Sequence, residues 1–271
     1  MGNISWLFYK DYFRGMTFEK DNESDKKLIK TKNAKLTEAK LVNIDAPFNM
    51  QRINAIIRYP GLVSGTGINH EANILGEFKL GVHFDYTFGM PVIYGSSIKG
   101  LLRSAFPESE VNINKVKDET KKDKLLRLRD AKIDLVRRYL GKGFENMDVD
   151  KLRDNIFDGI KQIDAEGKNS YNSVYERDIF FDAVIVKTNK KNKILDSDSI
   201  TPHKIPLQEP VPITFLKIAS GCTIEFRFDL KPVKINGIDV SASNKIALFK
   251  KILLDLGIGA KTNVGYGQLS E

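Results

Sequence analysis

Residues 256–267 read LGIGAKTNVGYG and form the most distinctive stretch of the chain. Before this stretch, apolar residues recur every three or four positions over 243–256, a spacing that predicts an amphipathic helix. Gly257 stands where a helix commonly ends in a left-handed residue. After the glycines, the run 264–269 predicts a closing strand. The C-terminal part of the chain is therefore expected to be a helix, a glycine-rich loop and a strand, in that order.

The Lys261-Thr262 pair within this loop suggests a nucleotide-binding P-loop, but two features argue against one. A P-loop needs glycine directly before its lysine, and Ala260 occupies that position. A P-loop also precedes its helix, whereas this loop follows one. The dinucleotide fingerprint fails as well, because Thr262 stands at its last glycine position. A nucleotide-hydrolysing site is therefore disfavoured.

Binding of a sugar-phosphate backbone fits the residues of the loop better. Glycines allow close approach without a Cβ clash, exposed amides can form an anion-binding concavity, and a tyrosine can stack on a base. The alternative is a helix end followed by a simple turn, and the residues alone leave both interpretations open. The candidate RNA contacts here are Gly257, Gly259, Lys261, Thr262, Asn263, Gly265, Tyr266 and Gly267.

A second segment, GSSIKGLLRSAF at 95–106, predicts another amphipathic helix. Ser96 or Ser97 is expected to cap its start, and Pro107 ends it. Gly100 weakens the helix by about 1 kcal/mol relative to alanine, but lets another backbone approach closely.

Two cations lie near the start of this helix, where free amides and the helix dipole favour an anion. Lys99 and Arg103 are four residues apart and therefore share one face. A solvated basic face is the alternative. The candidate RNA contacts in this segment are Ser96, Ser97, Lys99 and Arg103.

Four further stretches predict strands: 53–59, 78–85, 179–186 and 211–230, the last as one long strand or a hairpin. With the two helices, they approximate the order β-α-β-β-α-β with an extra N-terminal strand. We therefore predict an α+β fold with a ferredoxin-like, RRM-like core.

Residues 1–50 and 108–178 fall outside this plan. The first are predicted to form an irregular N-terminal arm with at most one short helix, and the domain proper spans 51–271. The second are predicted to be a helical insertion, with helices at 115–140 and 150–163. An aromatic cluster in the arm marks either a protein–protein surface or a segment packed on its own core; its members are Trp6, Phe8, Tyr9, Tyr12 and Phe13.

Composition narrows the class of protein. The chain has 43 Lys and Arg against 35 Asp and Glu, a net charge of +8 that favours a polyanionic partner. Its single cysteine, Cys222, excludes an internal disulfide, fits a buried thiol and indicates a reducing cytoplasm. No apolar run is long enough to span a membrane, so no membrane partner is expected.

The three histidines give weak signals. No pair has the close spacing typical of zinc ligands, so neither a metal nor any other cofactor is expected. His83 is expected to be solvated on a strand. His70 and His203 are interpreted as RNA contacts or structural residues, with general-base catalysis in a metal-independent ribonuclease as the alternative.

The two segments resemble the signature motifs of the RAMP superfamily of CRISPR-associated proteins. LGIGAKTNVGYG is most similar to the family of sixth Cmr subunits of type III-B effector complexes. GTGINH at 65–70, IFFDAVIV at 179–186 and ITPHK at 200–204 extend the likeness. It runs from about 52 to 269, and is slight in the arm and the insertion.

The resemblance implies an RRM-like, non-catalytic subunit that binds the 3′ part of the guide CRISPR RNA in antiviral defence against foreign RNA. Implied partners are guide RNA, target RNA, the backbone and terminal RAMP subunits and the small helical subunit. No residue here matches the aspartate with which backbone subunits cut target RNA. The alternative function is processing of precursor CRISPR RNA by a metal-independent endoribonuclease.

Overall fold

The structure, a computed structural model, describes residues 3–19, 22–45, 50–65, 72, 74–79, 81–163, 169–201 and 212–271. The helices are α1 (Ile4–Trp6), α2 (Glu23–Thr37), α3 (Gly95–Ser104), α4 (Glu110–Asn114), α5 (Glu119–Leu140), α6 (Val149–Arg153) and α7 (Ala242–Leu256). The strands are β1 (Gln51–Ile57), β2 (His83–Phe84), β3 (Pro91–Ile93), β4 (Ile160–Ile163), β5 (Asn169–Tyr171), β6 (Ile179–Phe180), β7 (Ala183–Lys187), β8 (Leu195–Ile200), β9 (Ile213–Ile218), β10 (Thr223–Asp229), β11 (Val233–Ile235), β12 (Ile238–Val240) and β13 (Leu269–Ser270).

The main sheet has the strand order β13-β1-β10-β7-β3-β2, and every neighbouring pair is antiparallel. Along the chain its central elements follow as β1, α3, β7, β10, α7 and β13. In the sheet, β10 separates β1 from β7, and β1 separates β10 from β13. Each helical connection therefore joins two strands that flank a third. This is the α+β class predicted from the sequence, with the hairpin β2–β3 added at one edge.

Helices α3 and α7 pack together against one face of this sheet. Phe228 of β10 and Phe180 of β6 pack on Phe249 of α7, with ring centroids 5.5 and 5.8 Å away. Helix α7 starts at a capping box, in which Ser241 and Asn244 satisfy each other's backbone amides. The predicted helix over 243–256 is thus confirmed.

Two strand predictions are wrong. Only His83–Phe84 of the predicted strand 78–85 joins the main sheet, because Lys79 exchanges backbone hydrogen bonds with Thr214 and Leu216 of β9 instead. The stretch 211–230 is neither one strand nor a hairpin. Both edges of β10 are already occupied, by β1 and by β6 with β7, so β9 pairs with β8 in a separate sheet.

The insertion contains the long predicted helix, α5, but not the second one. Helix α6 ends at Arg153 and continues only as a π-helical turn over Asp154–Asp158. Gly159 then takes a left-handed conformation, with φ of 67°, which stops the helix. The chain next forms the hairpin β4–β5. The predicted helix at 150–163 is therefore a short helix followed by a strand.

The N-terminal arm is more ordered than predicted. Helix α2 has 15 residues, and Phe8 and Tyr12 are fully buried in the main core. The Phe78 amide donates to the Tyr12 hydroxyl at 2.7 Å. Only Trp6 and Tyr9 of the aromatic cluster remain substantially exposed, at 47% and 41%. The cluster is mostly a core element, which favours the second of its two interpretations, packing on the protein's own core.

Cys222 is the buried thiol that was predicted. Its Sγ lies 3.2 Å from the Lys193 carbonyl oxygen, and burial raises its pKa to about 11. Among the helices of the described residues, none combines the length and the apolar character needed to cross a lipid bilayer.

Candidate functional site

The glycine-rich loop is tied to the rest of the protein through its backbone. The Ile258 amide donates to the Gly267 carbonyl at 2.9 Å, which closes the loop on itself. The Ala260 amide donates to the Val63 carbonyl at 2.7 Å, and the Gly267 amide to the Gly61 carbonyl at 2.8 Å. These bonds join the loop to the chain that follows β1. Backbone hydrogen bonds therefore fix the conformation of the loop, which is not a loose turn.

Three of its glycines serve this internal packing. A Cβ at Gly267 would collide with the Ile258 carbonyl, and one at Gly259 with the Val63 carbonyl. A Cβ at Gly257 would lie 2.7 Å from the Gly267 oxygen. The predicted close approach does occur, but the approaching backbone is the protein's own. Gly265 is different, since its nearest neighbour would be Pro60 Cδ at 3.6 Å.

The amides available to a ligand are concentrated at Lys261, Thr262 and Asn263. Within the part of the chain that the structure describes, these amides have no acceptor, whereas those of Val264 and Gly265 bond back into the loop. Lys261 has φ of 61° and is half-buried, and Asn263 is exposed. The part of the loop whose amides lack a protein acceptor among the described residues is therefore three residues long.

Tyr266 does not offer its ring to solvent. The side chain is 7% exposed, and its hydroxyl donates to Asp198 Oδ2 at 2.7 Å. The same carboxylate accepts from Lys217 Nζ at 2.6 Å, and the ring packs edge-on against Phe215 at 5.9 Å. Burial and the adjacent Asp198 raise the pKa of Tyr266. Its predicted stacking on an RNA base does not fit this arrangement.

The start of α3 is held by a residue that the sequence analysis missed. The Gly95 amide donates to Asp182 Oδ1 at 2.7 Å, and neither predicted serine caps the helix. Ser96 and Ser97 instead lie in the first turn with exposed side chains. Asp182 falls between β6 and β7, 87 residues away along the chain. The only sequence signal for it is an aspartate interrupting an apolar run.

Lys99 and Arg103 differ in their position and their surroundings. The prediction that both lie near the start of α3 is wrong for Arg103, which lies in the last turn of the ten-residue helix. Arg103 forms an ion pair with Asp158 at 2.6 Å, so its charge is largely matched within the protein. Lys99 has no carboxylate within 4.0 Å among the described residues, and its Nζ lies 5.8 Å from the centre of the Phe180 ring. It lines a cleft of about 450 Å³ between α3 and the hairpin of the insertion, with Tyr171 and Arg177.

The two signature segments do not form one site. Gly95 is hydrogen-bonded to Asp182, the residue directly before β7. This contact lies at the end of the sheet where β1 begins. The glycine-rich loop is bonded to Arg58, directly after β1 ends. Seven strand residues separate these ends, a distance of roughly 20 Å at the rise of a β-strand.

The histidines are distributed as follows. His83 is not simply solvated, because its ring stacks on Tyr94 at 4.7 Å and burial lowers its pKa. His70 and His203 lie outside the described residues, and so does most of the GTGINH motif. Within the described ranges, no group of three or more histidine, cysteine or acidic side chains is arranged to hold a metal ion.

Comparison with known proteins places these segments in a family. The model of the RAMP superfamily matches residues 56–270. Over 213 residues the chain is 30% identical to the CRISPR system Cmr subunit Cmr6 of Pyrococcus furiosus, which covers 68% of this chain and 59% of that protein. The chain thus matches about three fifths of the length of this curated relative.

Solved structures include two relatives at lower similarity. The crystal structure of Cmr6 from Pyrococcus furiosus aligns at 21% identity with a TM-score of 0.42, over 82% of this chain and 98% of that one. The cryo-EM structure of the type III-B Cmr-beta complex bound to cognate target RNA contains a chain that aligns at 21% identity with a TM-score of 0.46. The alignment covers 81% of this chain and 57% of that one. Because the family model spans most of the chain, from the end of β1 to β13, this protein belongs to the RAMP superfamily.

Proposed function

We propose that the protein is a non-catalytic RNA-binding subunit of a type III-B CRISPR effector complex, and that it holds the 3′ part of the guide RNA. Membership of the RAMP superfamily and the 30% identity to a Cmr6 subunit support the complex. Its proposed partners are the guide and target RNAs and the other Cmr subunits.

The observation that carries the RNA-binding role is the local chemistry of the glycine-rich loop. Lys261 has no carboxylate within 4.0 Å among the described residues, and its own amide and the two that follow lack protein acceptors. A lysine beside free amides suits a phosphate group, which carries negative charge and several acceptor oxygens. Internal hydrogen bonds hold these groups in place, so little conformational freedom is lost on binding.

The start of α3 is a second proposed contact. Ser96, Ser97 and Lys99 lie there with side chains that reach solvent, and Gly100 leaves open space beside them. Because the two segments are about 20 Å apart, we propose that they contact different nucleotides of one strand. The ion pair with Asp158 makes Arg103 a weaker candidate than Lys99.

The test is the affinity of the full chain for two unstructured RNAs of unrelated sequence, measured at several salt concentrations. Lys261→Ala and Lys99→Ala are each expected to weaken the binding of both RNAs to a similar degree, because phosphate contacts do not depend on base sequence. Each variant should reduce the salt slope, which is the dependence of log affinity on log salt concentration, by about 0.7 units, the contribution of one phosphate contact on a single strand. The matched control is Lys124→Ala on α5, an exposed lysine with no ion pair among the described residues, and it should leave the slope unchanged.

Three results would contradict the proposal. One is wild-type protein without salt-sensitive RNA affinity. A second is Lys261→Ala with the affinity and slope of wild type, which would leave the loop a structural turn. The third is a specific cleavage product formed in the presence of EDTA, since that would make the protein a metal-independent ribonuclease. Copurification with other Cmr subunits, when coexpressed from the same operon, would independently support the complex.

A further inference from the structure

Two more loops reach the sheet end that carries the glycine-rich loop. The chain after β1 is one of them, since the Arg58 amide donates to the Gln268 carbonyl at 2.9 Å. The turn between β7 and β8 is the other, since Lys187 at the end of β7 pairs with Thr223 of β10. The Asn189 side chain then donates to the Ser220 carbonyl at 3.2 Å, which fixes the turn beside β10.

These loops bring together cations that are distant in sequence. Among the described residues, none of them has a carboxylate within 4.0 Å. The nearby carboxylates of Asp198 and Asp255 are engaged by Lys217 and Tyr139. Asp196, at the start of β8, is exposed and accepts from the Ser197 amide at 2.9 Å. Unpaired like charges repel one another, so a polyanion binding here is favoured electrostatically. The cations are Arg58, Lys187, Lys190 and Lys191, all exposed, with Lys193 and Lys261 half-buried.

An exposed aromatic ring stands in the middle of this surface. Tyr59 is 85% exposed, yet its backbone is held on both sides. The Gly61 amide donates to the Arg58 carbonyl at 2.9 Å, and Leu62 exchanges hydrogen bonds with Ile218. A Cβ at Gly61 would lie 2.5 Å from the Ile218 oxygen, so this turn has little freedom to shift. Tyr59 is thus a solvent-facing side chain on a fixed stretch of backbone.

The surface has the dimensions of a single-strand path. It extends from β13 across β1 and β10 to β7, which at about 4.8 Å per strand is on the order of 14 Å. A row of lysines beside an exposed ring is the arrangement by which proteins hold single-stranded nucleic acid without reading its sequence. An acidic protein segment would use the lysines but has no base to stack on the ring.

We propose that single-stranded RNA crosses this end of the sheet, with phosphates on Lys190, Lys191 and Lys261 and one base stacked on Tyr59. The inference rests on the proposed function and assigns to it a path and a stacking residue. It gives Tyr59 the role that the sequence suggested for Tyr266.

The test uses the full chain and fluorescently labelled oligouridylate, which has no stable structure of its own. The double variant Lys190→Ala, Lys191→Ala should lower the salt slope by about 1.4 units, since each phosphate contact on a single strand contributes about 0.7. Lys121→Ala, Lys124→Ala removes the same charge from exposed positions on α5 and should change nothing. Tyr59→Ala should weaken binding about 5- to 150-fold at every salt concentration, and Tyr59→Phe should restore it.

The outcomes separate this inference from the proposed function. Suppose that wild-type protein binds RNA, but that the Lys190→Ala, Lys191→Ala variant and Tyr59→Ala both behave like the α5 control. This result would overturn the RNA path and leave the proposed function standing. Absence of RNA binding by the wild-type protein would contradict both the RNA path and the proposed function. If polyglutamate displaced the RNA and Tyr59→Ala had no effect, the surface would be a site for an acidic protein segment, and the RNA path would be wrong.

Discussion

Among the described residues, most cations at one end of the main sheet are paired with carboxylates, with Lys99 on α3 as an exception, whereas the loop cations at the other end are unpaired. Where β1 begins, Lys245 pairs with Asp178 at 2.5 Å, Lys231 with Asp229 at 2.8 Å, and nearby Arg103 with Asp158 at 2.6 Å. Where β1 ends, Lys190, Lys191 and Lys261 have no such partner among the described residues. The first set stabilises the fold, and the second is the set that we propose contacts RNA.

This difference shows what the net charge of +8 means for the chain. The excess of basic residues is not spread evenly, since paired cations neither steer nor bind a polyanion strongly. A paired cation at the first end should therefore matter for stability and not for RNA, whereas an unpaired lysine, at the second end or at Lys99 on α3, should matter for RNA and little for stability. Each prediction below tests one side of that contrast.

The largest expected effect is on stability, at the buried pair. Lys245 and Asp178 have side chains only 1% and 2% exposed. Lys245→Met should lower the free energy of unfolding by about 3–5 kcal/mol, because it leaves a buried carboxylate without its cation. Denaturant titration followed by circular dichroism measures this loss.

A neighbouring pair on the same helix supplies the control. Lys250→Met breaks an exposed pair with Glu271, whose side chains are 41% and 73% exposed, and should cost less than about 1 kcal/mol. Equal losses for the two variants would mean that burial does not distinguish these ion pairs. Adding Asp178→Asn to Lys245→Met should recover part of the stability.

A smaller loss is expected at the glycine-rich loop. Gly267 has φ of 69°, and a Cβ there would collide with the Ile258 carbonyl. Gly267→Ala should destabilise the protein by about 2–4 kcal/mol, from the left-handed backbone and the displaced loop together. It should also weaken RNA binding, because the loop positions Lys261. A variant with wild-type stability would show that the loop can shift freely.

The glycine within α3, Gly100, should respond to substitution in the opposite way to Gly267. Gly100 is exposed, and a Cβ there meets no atom within 4 Å. Gly100→Ala should stabilise the protein by about 0.5–1 kcal/mol, because alanine favours the helix. If the space serves an approaching RNA backbone, the same variant binds RNA less tightly. A destabilised Gly100→Ala protein would mean that α3 packs more closely than the structure shows.

The sequence predicted those parts of the fold that depend on local pattern. The periodicity of α7 and Gly257 located its helix, and the element order gave the fold class. Pairing between distant segments could not be predicted, because whether β9 joins β10 depends on which edges of β10 are already occupied. The cap from Asp182 to Gly95 is a contact of the same long-range kind.

The same distinction between local sequence patterns and long-range contacts applies to the candidate site. Lys261 was found because its motif is local, whereas the burial of Tyr266 depends on Asp198 and Phe215, which come from other strands. Tyr59 and the lysines between β7 and β8 were missed as contacts, since only the sheet brings them beside the glycine-rich loop. An aromatic residue next to a proline and a glycine gives no sequence signal for this surface.

The central claim is that RNA lies on the sheet end with unpaired cations, and photo-crosslinking tests it most directly. The full chain, bound to RNA carrying 4-thiouridine, would be irradiated, digested and analysed by mass spectrometry. Crosslinks are expected at Tyr59 and within 187–193 and 261–263, and they should be lost in high salt. Crosslinks confined to the opposite end, around Asp178 and Lys245, would contradict it.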